Sequence, residues 1–233
     1  MNEREAWIAL AATPGVGDHT FSRLLETHGS AAAALAAVAG LSETQADRTL
    51  AGWSGTRLRR GLVQAIRRSA DDPGRVRRDV DALGGWALTP LDTAYPAGLR
   101  EIEEPPPVLY GLGDPSALSA EPLVAVVGTR RPSASARDLA SRIGQRLAEA
   151  GATVVSGLAM GVDGTVHRAV LEGHSRTVAV IGSGIDAPGP TPNRRLAKRI
   201  SVDGAVVGEL APGVRATKGT FPRRNRLISG LCR

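Results

Sequence analysis

The stretch Leu123-Val124-Ala125-Val126-Val127-Gly128-Thr129-Arg130-Arg131-Pro132-Ser133 decides the fold. Five apolar residues, three of them valines, run unbroken into a glycine and a polar turn. A run without polar alternation fits a strand buried on both faces. Similar runs follow at residues 152–155, 177–181 and 205–207. Helical patterns at about 133–150, 162–173 and 193–202 separate them. This β-α-β-α-β-α-β order, wound by right-handed crossovers, predicts an α/β domain over residues 123–233: a Rossmann-like parallel sheet with helices on both faces.

In such a sheet, ligands lie beyond the carboxyl ends of the strands. The first loop there is Gly128-Thr129-Arg130, and the second is Ser156-Gly157-Leu158-Ala159-Met160-Gly161. The third is Gly182-Ser183-Gly184-Ile185-Asp186, and the fourth runs over residues 208–222. Glycines admit close backbone approach, helix N-termini present free N–H groups, and Arg130 adds a charged fork, which together make an anion site. The fourth loop leads into Phe221-Pro222-Arg223-Arg224-Asn225-Arg226, three arginines and an amide beside an aromatic. Guanidinium forks match phosphate and an aromatic face stacks a base, so this pairing points to a nucleic-acid strand. The expected contacts are Arg130, Lys218, Arg224 and Arg226 to phosphate, hydrogen bonds from Asn225 and Ser156, and base stacking on Phe221. Gly128, Gly157, Gly161, Gly182, Ser183 and Gly184 form the surrounding loops.

Working toward the N-terminus, residues 71–122 read as a Pro- and Gly-rich connector with short strands near Trp86-Ala87-Leu88 and Val108-Leu109-Tyr110. Its prolines bar it from a sheet interior, so it is expected to wrap the domain's edge. Residues 1–70 read as a small all-helical domain. Thr13-Pro14-Gly15-Val16-Gly17 followed by an amphipathic segment suits a SAM or helix-hairpin-helix turn, whose glycines let N–H groups reach a DNA phosphate. A plain helix–helix corner is the alternative, favoured by the lack of basic residues between Thr13 and Ser22 other than His19. Arg57, Arg59, Arg60, Arg67 and Arg68 read as a solvated helix face.

Composition agrees with a polyanion partner. Residues 1–120 carry 12 basic and 15 acidic side chains, net −3, whereas residues 121–233 carry 17 and 8, net +9. The excess basic charge therefore belongs to the domain with the anion loops. Arginine supplies 27 of the 29 basic residues; a GC-rich genome gives the same bias, so charge alone decides little. The single cysteine, Cys232, excludes an internal disulfide and fits a reducing cytoplasm. The apolar run at residues 7–12 is too short for a membrane span, and the protein is expected to be cytoplasmic.

Several enzymatic motifs fail on inspection. Gly182-Ser183-Gly184-Ile185-Asp186-Ala187 fits the dinucleotide fingerprint formally, but it follows the third strand of the unit and is trailed by Pro188 and Pro190. No P-loop occurs, and His19, His28, His167 and His174 are scattered without metal-ligand spacing. Asp163 and His167 share a helix face near Ser156, yet no nucleophile elbow accompanies them. Asp163 is expected to cap the helix and His167 to pack under a loop. No catalytic residue and no cofactor are expected. Arg194, Arg195, Lys198 and Arg199 read as a solvated charge run, with strand binding as the alternative.

With these residues placed, the chain resembles the DprA/Smf family of bacterial DNA-processing proteins over nearly its whole length. The resemblance rests on Pro14-Gly15-Val16-Gly17, the connector from Tyr95-Pro96 to Tyr110-Gly111, and Val126-Val127-Gly128-Thr129-Arg130. It rests further on Ser156-Gly157-Leu158-Ala159-Met160-Gly161-Val162-Asp163 with His167, and most of all on residues 221–231. It implies single-stranded DNA binding in natural transformation, loading of the RecA recombinase and homodimer formation, without an established catalytic activity. Met160 stands where the family usually has Arg, and Gly189-Pro190-Thr191-Pro192-Asn193 lacks the aromatic of a Tyr-Pro-x-x-Asn pattern. Family members continue past the position of Arg233, so the expectation is a truncated domain with one sheet face uncovered, doubtful dimerisation, and in the extreme a non-functional remnant. The rival enzyme class is a LOG-like nucleotide phosphoribohydrolase, whose P-G-G-x-G-T-x-x-E signature is absent from residues 1–233.

Overall fold

The computed structural model describes residues 1–42, 45 and 61–232, and the chain divides into two compact units. The first comprises Met1–Asp79 with Pro106–Val108, the second Val80–Pro105 with Leu109–Arg233.

Helices α1 (Glu3–Ala11), α2 (Asp18–His28), α3 (Ala31–Gly40) and α4 (Leu62–Asp71) build the first unit. Each start is fixed locally. Asn2 Oδ1 accepts the Arg4 N–H at 3.0 Å to cap α1, and Ser30 Oγ accepts the Ala33 N–H at 3.1 Å to cap α3. Glu3 reaches across from α1, its two carboxylate oxygens accepting the Ala31 and Ala32 N–H groups at 2.7 and 3.0 Å. An anion thus sits on the positive end of α3. Leu10, Leu24, Leu35 and Ile66 are fully buried between the helices, and Trp7 meets Phe21 edge-on with ring centroids 5.1 Å apart. The turn at Thr13–Val16 is a tight corner, the Val16 N–H donating to Thr13 O at 3.0 Å. Of the arginines read as a solvated face, Arg57, Arg59 and Arg60 lie outside the described residues. Arg67 corrects that reading: its guanidinium turns inward and donates to Ala39 O at 3.0 Å and to Leu41 O.

A fifth helix, α5 (Arg75–Ala82), leads to strand β1 (Gly85–Leu88). After α6 (Ala97–Arg100), β2 (Leu109–Gly113) begins the main sheet of the second unit. The sheet then gains β3 (Leu123–Ala125), β4 (Thr153–Ser156), β5 (Thr177–Val180) and β6 (Ala205–Gly208). Helices α7 (Ala134–Glu149), α8 (Val162–Glu172) and α9 (Arg194–Asp203) connect β3 to β6, and α10 (Thr220–Leu231) follows. These bounds fall close to the sequence-based ones because the apolar runs and helical periods mark them directly. The sheet order is β1-β2-β6-β5-β4-β3, with β3 to β6 parallel and β1 and β2 antiparallel.

Two features differ from the sequence reading. The connector does not merely wrap the edge: β2 is an interior strand, paired to both β1 and β6. The proline run ends at Pro107, so every residue of β2 has an N–H to give to the ladder. Trp86 lies over its cross-strand partner Gly111, where a Cβ would overlap the indole, and its Nε1–H donates to Gly113 O at 2.9 Å. Glycine at 111 is required for that close approach. The run at 123–127, in turn, forms the sheet's outer edge, and Val127 is 61% exposed.

Because β3 to β6 step in one direction, right-handed crossovers place α7, α8 and α9 on one face. There α7 packs closely on α8 through small residues; a Cβ at Gly144 would lie 3.0 Å from that of Ala169. The other face is not uncovered as expected. Leu227, Ile228 and Leu231 of α10 join Leu99, Val155, Val178, Val180 and Val207 in one buried cluster. Truncating Leu227, which is fully buried there, is therefore expected to cost about 2–5 kcal/mol. Urea unfolding of Leu227→Ala checks this, with the midpoint falling at unchanged slope.

Candidate functional site

The loops at the carboxyl edge are pinned to one another. Asp163, near the start of α8, accepts the Gly128 N–H at 3.3 Å and the Ala159 N–H at 3.4 Å, so one buried carboxylate ties the first loop to the second. It caps loop amides rather than its own helix, where the sequence reading placed it. The Val162 N–H donates to Thr129 O at 3.2 Å. Asn193, buried before α9, donates from Nδ2 to Leu158 O at 3.0 Å and to Ala159 O at 3.1 Å. These bonds hold Leu158 at φ 55°, a left-handed conformation that a branched side chain rarely adopts. The third and fourth loops are joined by Gly184 N–H to Val214 O and Gly213 N–H to Asp186 Oδ1, each at 2.8 Å.

The arginine-rich segment forms the first turns of α10, with Pro222 where its missing N–H costs nothing. At 100° per residue, consecutive side chains leave in different directions. Phe221 and Asn225, four apart, share the outward face. Arg223 and Arg226 turn to Glu209, whose side chain is 7% exposed and whose oxygens lie 3.4 and 2.6 Å from them. Arg224 points into the sheet edge, where it is 5% exposed and donates to Val180 O. Burial lowers its pKa, the Asp163 carboxylate pulls it back up and Arg130 pushes it down. Gly157 is what admits it, since a Cβ there would overlap the guanidinium.

Arg130 lies over the Phe221 ring, Cζ 4.9 Å from the centroid, a cation–π stack across two loops of distant sequence. Clefts open on both sides of this pair. One, about 390 Å³, is lined by Gly128, Arg130, Lys218, Phe221, Arg224 and Asn225 among others. The second, about 400 Å³, shares Arg130, Phe221 and Arg224 and adds Gly157, Gly182 and Ser183. Volumes near these suit small ligand groups. A larger cavity of about 630 Å³, near Pro96 and Leu123, has Glu121 on its wall and no cation.

Of the residues read from sequence, the structure thus brings Gly128, Arg130, Gly157, Gly182, Ser183, Lys218, Phe221, Arg224 and Asn225 to the two clefts. Gly161, Gly184, Ser156 and Arg226 lie behind them. A Cβ on Gly161 would overlap Thr129 O, so its role is loop packing. The Gly184 N–H is spent on Val214, and the Ser183 hydroxyl donates to Ala187 O at 2.9 Å. Ser156 is fully buried, and Arg226 is held by Glu209. The phosphate contact read for Arg226 and the hydrogen bond read for Ser156 thus meet side chains turned away from the clefts, a separation imposed by helical period and strand burial. Sequence reading missed Arg215, which lines the second cleft together with Arg194; Arg194 was read as part of a solvated charge run, with strand binding as the alternative. Asn193 stood in the noted Pro-x-x-Asn pattern, though its partners, 34 and 35 residues away, could not be seen.

His167 is fully buried in α8. The Thr177 hydroxyl donates to Val154 O at 2.7 Å, so its oxygen accepts from His167 Nδ1 at 2.8 Å, which places the ring proton on Nδ1. Burial, with Arg224 and Arg168 nearby, pushes its pKa down to about 3. Among the described residues no group of His, Cys, Asp or Glu could hold a metal ion, and no helix is long and apolar enough to cross a membrane.

A family model described as DNA recombination-mediator protein A matches residues 86–233, and one described as a DprA-like N-terminal HHH domain matches residues 1–60. Protein Smf of Synechocystis is 42% identical over 149 residues, covering 63% of this chain and 37% of the relative. A putative DNA processing protein DprA of Mycobacterium tuberculosis is 37% identical over 227 residues, covering 91% and 57%. The chain thus spans about half or less of the length of these curated relatives. The structure of DNA processing protein A from Streptococcus pneumoniae superposes with a TM-score of 0.76 at 28% identity, over 100% of this chain and 76% of that one. A Helicobacter pylori structure, described for the single-stranded DNA binding mode of its DNA processing protein A, gives 0.58 at 30% identity over 64% and 66%.

The buried His167 sets a pH dependence. Its folded pKa of about 3 lies below the ordinary 6.5, so between those values the unfolded chain takes up a proton that the folded one does not. Stability is expected to fall as pH drops through that window, by up to about 1.4 kcal/mol per pH unit from this group. Chemical unfolding at pH 4 to 7 checks it, with His167→Gln showing the shallower dependence.

Proposed function

The chain belongs to the DNA recombination-mediator protein A family, and from that premise we propose that it binds single-stranded DNA in the two clefts flanking the Arg130–Phe221 stack. The observation that carries the reading is that stack itself. The guanidinium lies on one face of the ring and offers its N–H edge to a phosphate, while the rest of the ring, at the wall of two cation-lined clefts, takes a base. Lys218 and Arg215, exposed on the fourth loop, are placed for backbone phosphates, while Arg224 fixes the helix that carries Phe221.

The site binds without catalysis. Ser156 is buried, and His167 turns Nδ1 to Thr177, so the candidate nucleophile and base of α8 and β4 do not face a common substrate. The family's description as a recombination mediator supports the further reading that the bound strand is handed to the RecA recombinase during DNA uptake.

Labelled oligo-dT titrated at several salt concentrations, with duplex of equal length as competitor, tests the binding. Arg130→Ala is expected to reduce the salt slope by about 0.7, one phosphate's share for a single strand. Phe221→Ala should weaken affinity by roughly 1–3 kcal/mol with the slope unchanged. Equal competition by duplex, or an Arg130→Ala slope identical to wild type, overturns the reading.

A further inference from the structure

A third cleft, of about 480 Å³, lies beside the second, and Arg194 lines both. Its floor is apolar, from Leu83, Leu112 and Ile185, and its rim carries Arg195 and Lys198 of α9. We propose that the single strand continues past Arg194 into this cleft, where one further nucleotide seats its base on the apolar floor and its phosphate between Arg195 and Lys198.

Three observations carry this. First, α9 is two-sided: Leu196, Ala197 and Ile200 are buried, whereas Arg194, Arg195 and Lys198 are exposed. The three cations have no acidic partner among the described residues. A run of cations that only solvates a helix needs nothing beside it, yet this one borders a concave apolar surface on which Leu83 is 41% exposed. An apolar floor under a cationic rim matches a ligand that is itself a flat ring joined to an anion. Second, the cleft adjoins the proposed strand site, the two sharing Arg194, so the ligand we assign to it is the next unit of the same polymer. Third, Asp186, the acidic residue on the rim, is engaged by the fourth loop, its Oδ1 accepting the Gly213 N–H at 2.8 Å. That bond turns the carboxylate to the fourth loop rather than to the cations.

The inference rests on the proposed strand site, and a length series separates the two. Oligo-dT of two to twelve nucleotides is titrated against wild type, Arg195→Gln/Lys198→Gln and Leu83→Ala. All three substituted side chains are surface groups, and a thermal melt confirms folding. Wild type is expected to gain affinity at least tenfold across one step in length. The double variant should match wild type on the shortest oligonucleotides, lose that gain, and show a salt slope lower by about 0.7 on the longest, one phosphate's share. Leu83→Ala should lose severalfold of the gain at unchanged slope. Length profiles and slopes identical to wild type in both variants overturn the third cleft alone, provided Phe221→Ala still weakens binding at every length. Indifference to Phe221→Ala, or no binding of any oligonucleotide by wild type, overturns the strand site and the extension with it.

Discussion

A guanidinium buried at the carboxyl ends of β4 and β5 is the constraint on which the second unit's site depends. Arg224 leaves the helix that covers one sheet face, passes the space that Gly157 keeps open and donates to Val180 O. A buried cation is tolerated only with compensating charge and hydrogen bonds. Asp163 supplies the charge, and the same carboxylate holds the amides of Gly128 and Ala159. Helix α10, the first loop and the second loop are therefore placed by one electrostatic cluster. The stacking of Arg130 on Phe221 is its outward consequence, since one partner rides on the first loop and the other on α10.

This arrangement divides the work of the conspicuous arginines. Those of highest local density, residues 223 to 226, mostly face inward or pair with Glu209. The cations that line the clefts come from elsewhere: Arg130 from the first loop, Arg215 and Lys218 from the fourth, and Arg194 from the start of α9. Charge density in the sequence marks where the clefts are anchored, and the surface proposed to meet a strand is assembled from elsewhere.

The parallel sheet was legible because buried strands write themselves as apolar runs, at 177–181 as clearly as anywhere. The glycine loops were legible because ligand sites lie at strand ends. What could not be read was long-range or angular. Strand β2 was read near Val108-Leu109-Tyr110, but its interior place was hidden by the prolines just before it, which end at Pro107, ahead of Tyr110, the first residue it pairs with β6. The inward turn of Arg226 depends on Glu209, 17 residues away, and on a helical phase that the sequence of the segment alone does not set. The same holds for Ser156, polar in composition but placed at the fully buried end of β4.

The pairing of Glu209 with Arg223 and Arg226 has a bearing on how such a chain can change over generations. A neutral replacement at 209 withdraws the carboxylate that both arginines share, a side chain only 7% exposed. A change at either arginine alone removes one of the acid's cationic partners. The three positions therefore form a unit of inheritance, expected to drift together in related chains while exposed neighbours such as Pro222 and Ser229 vary independently.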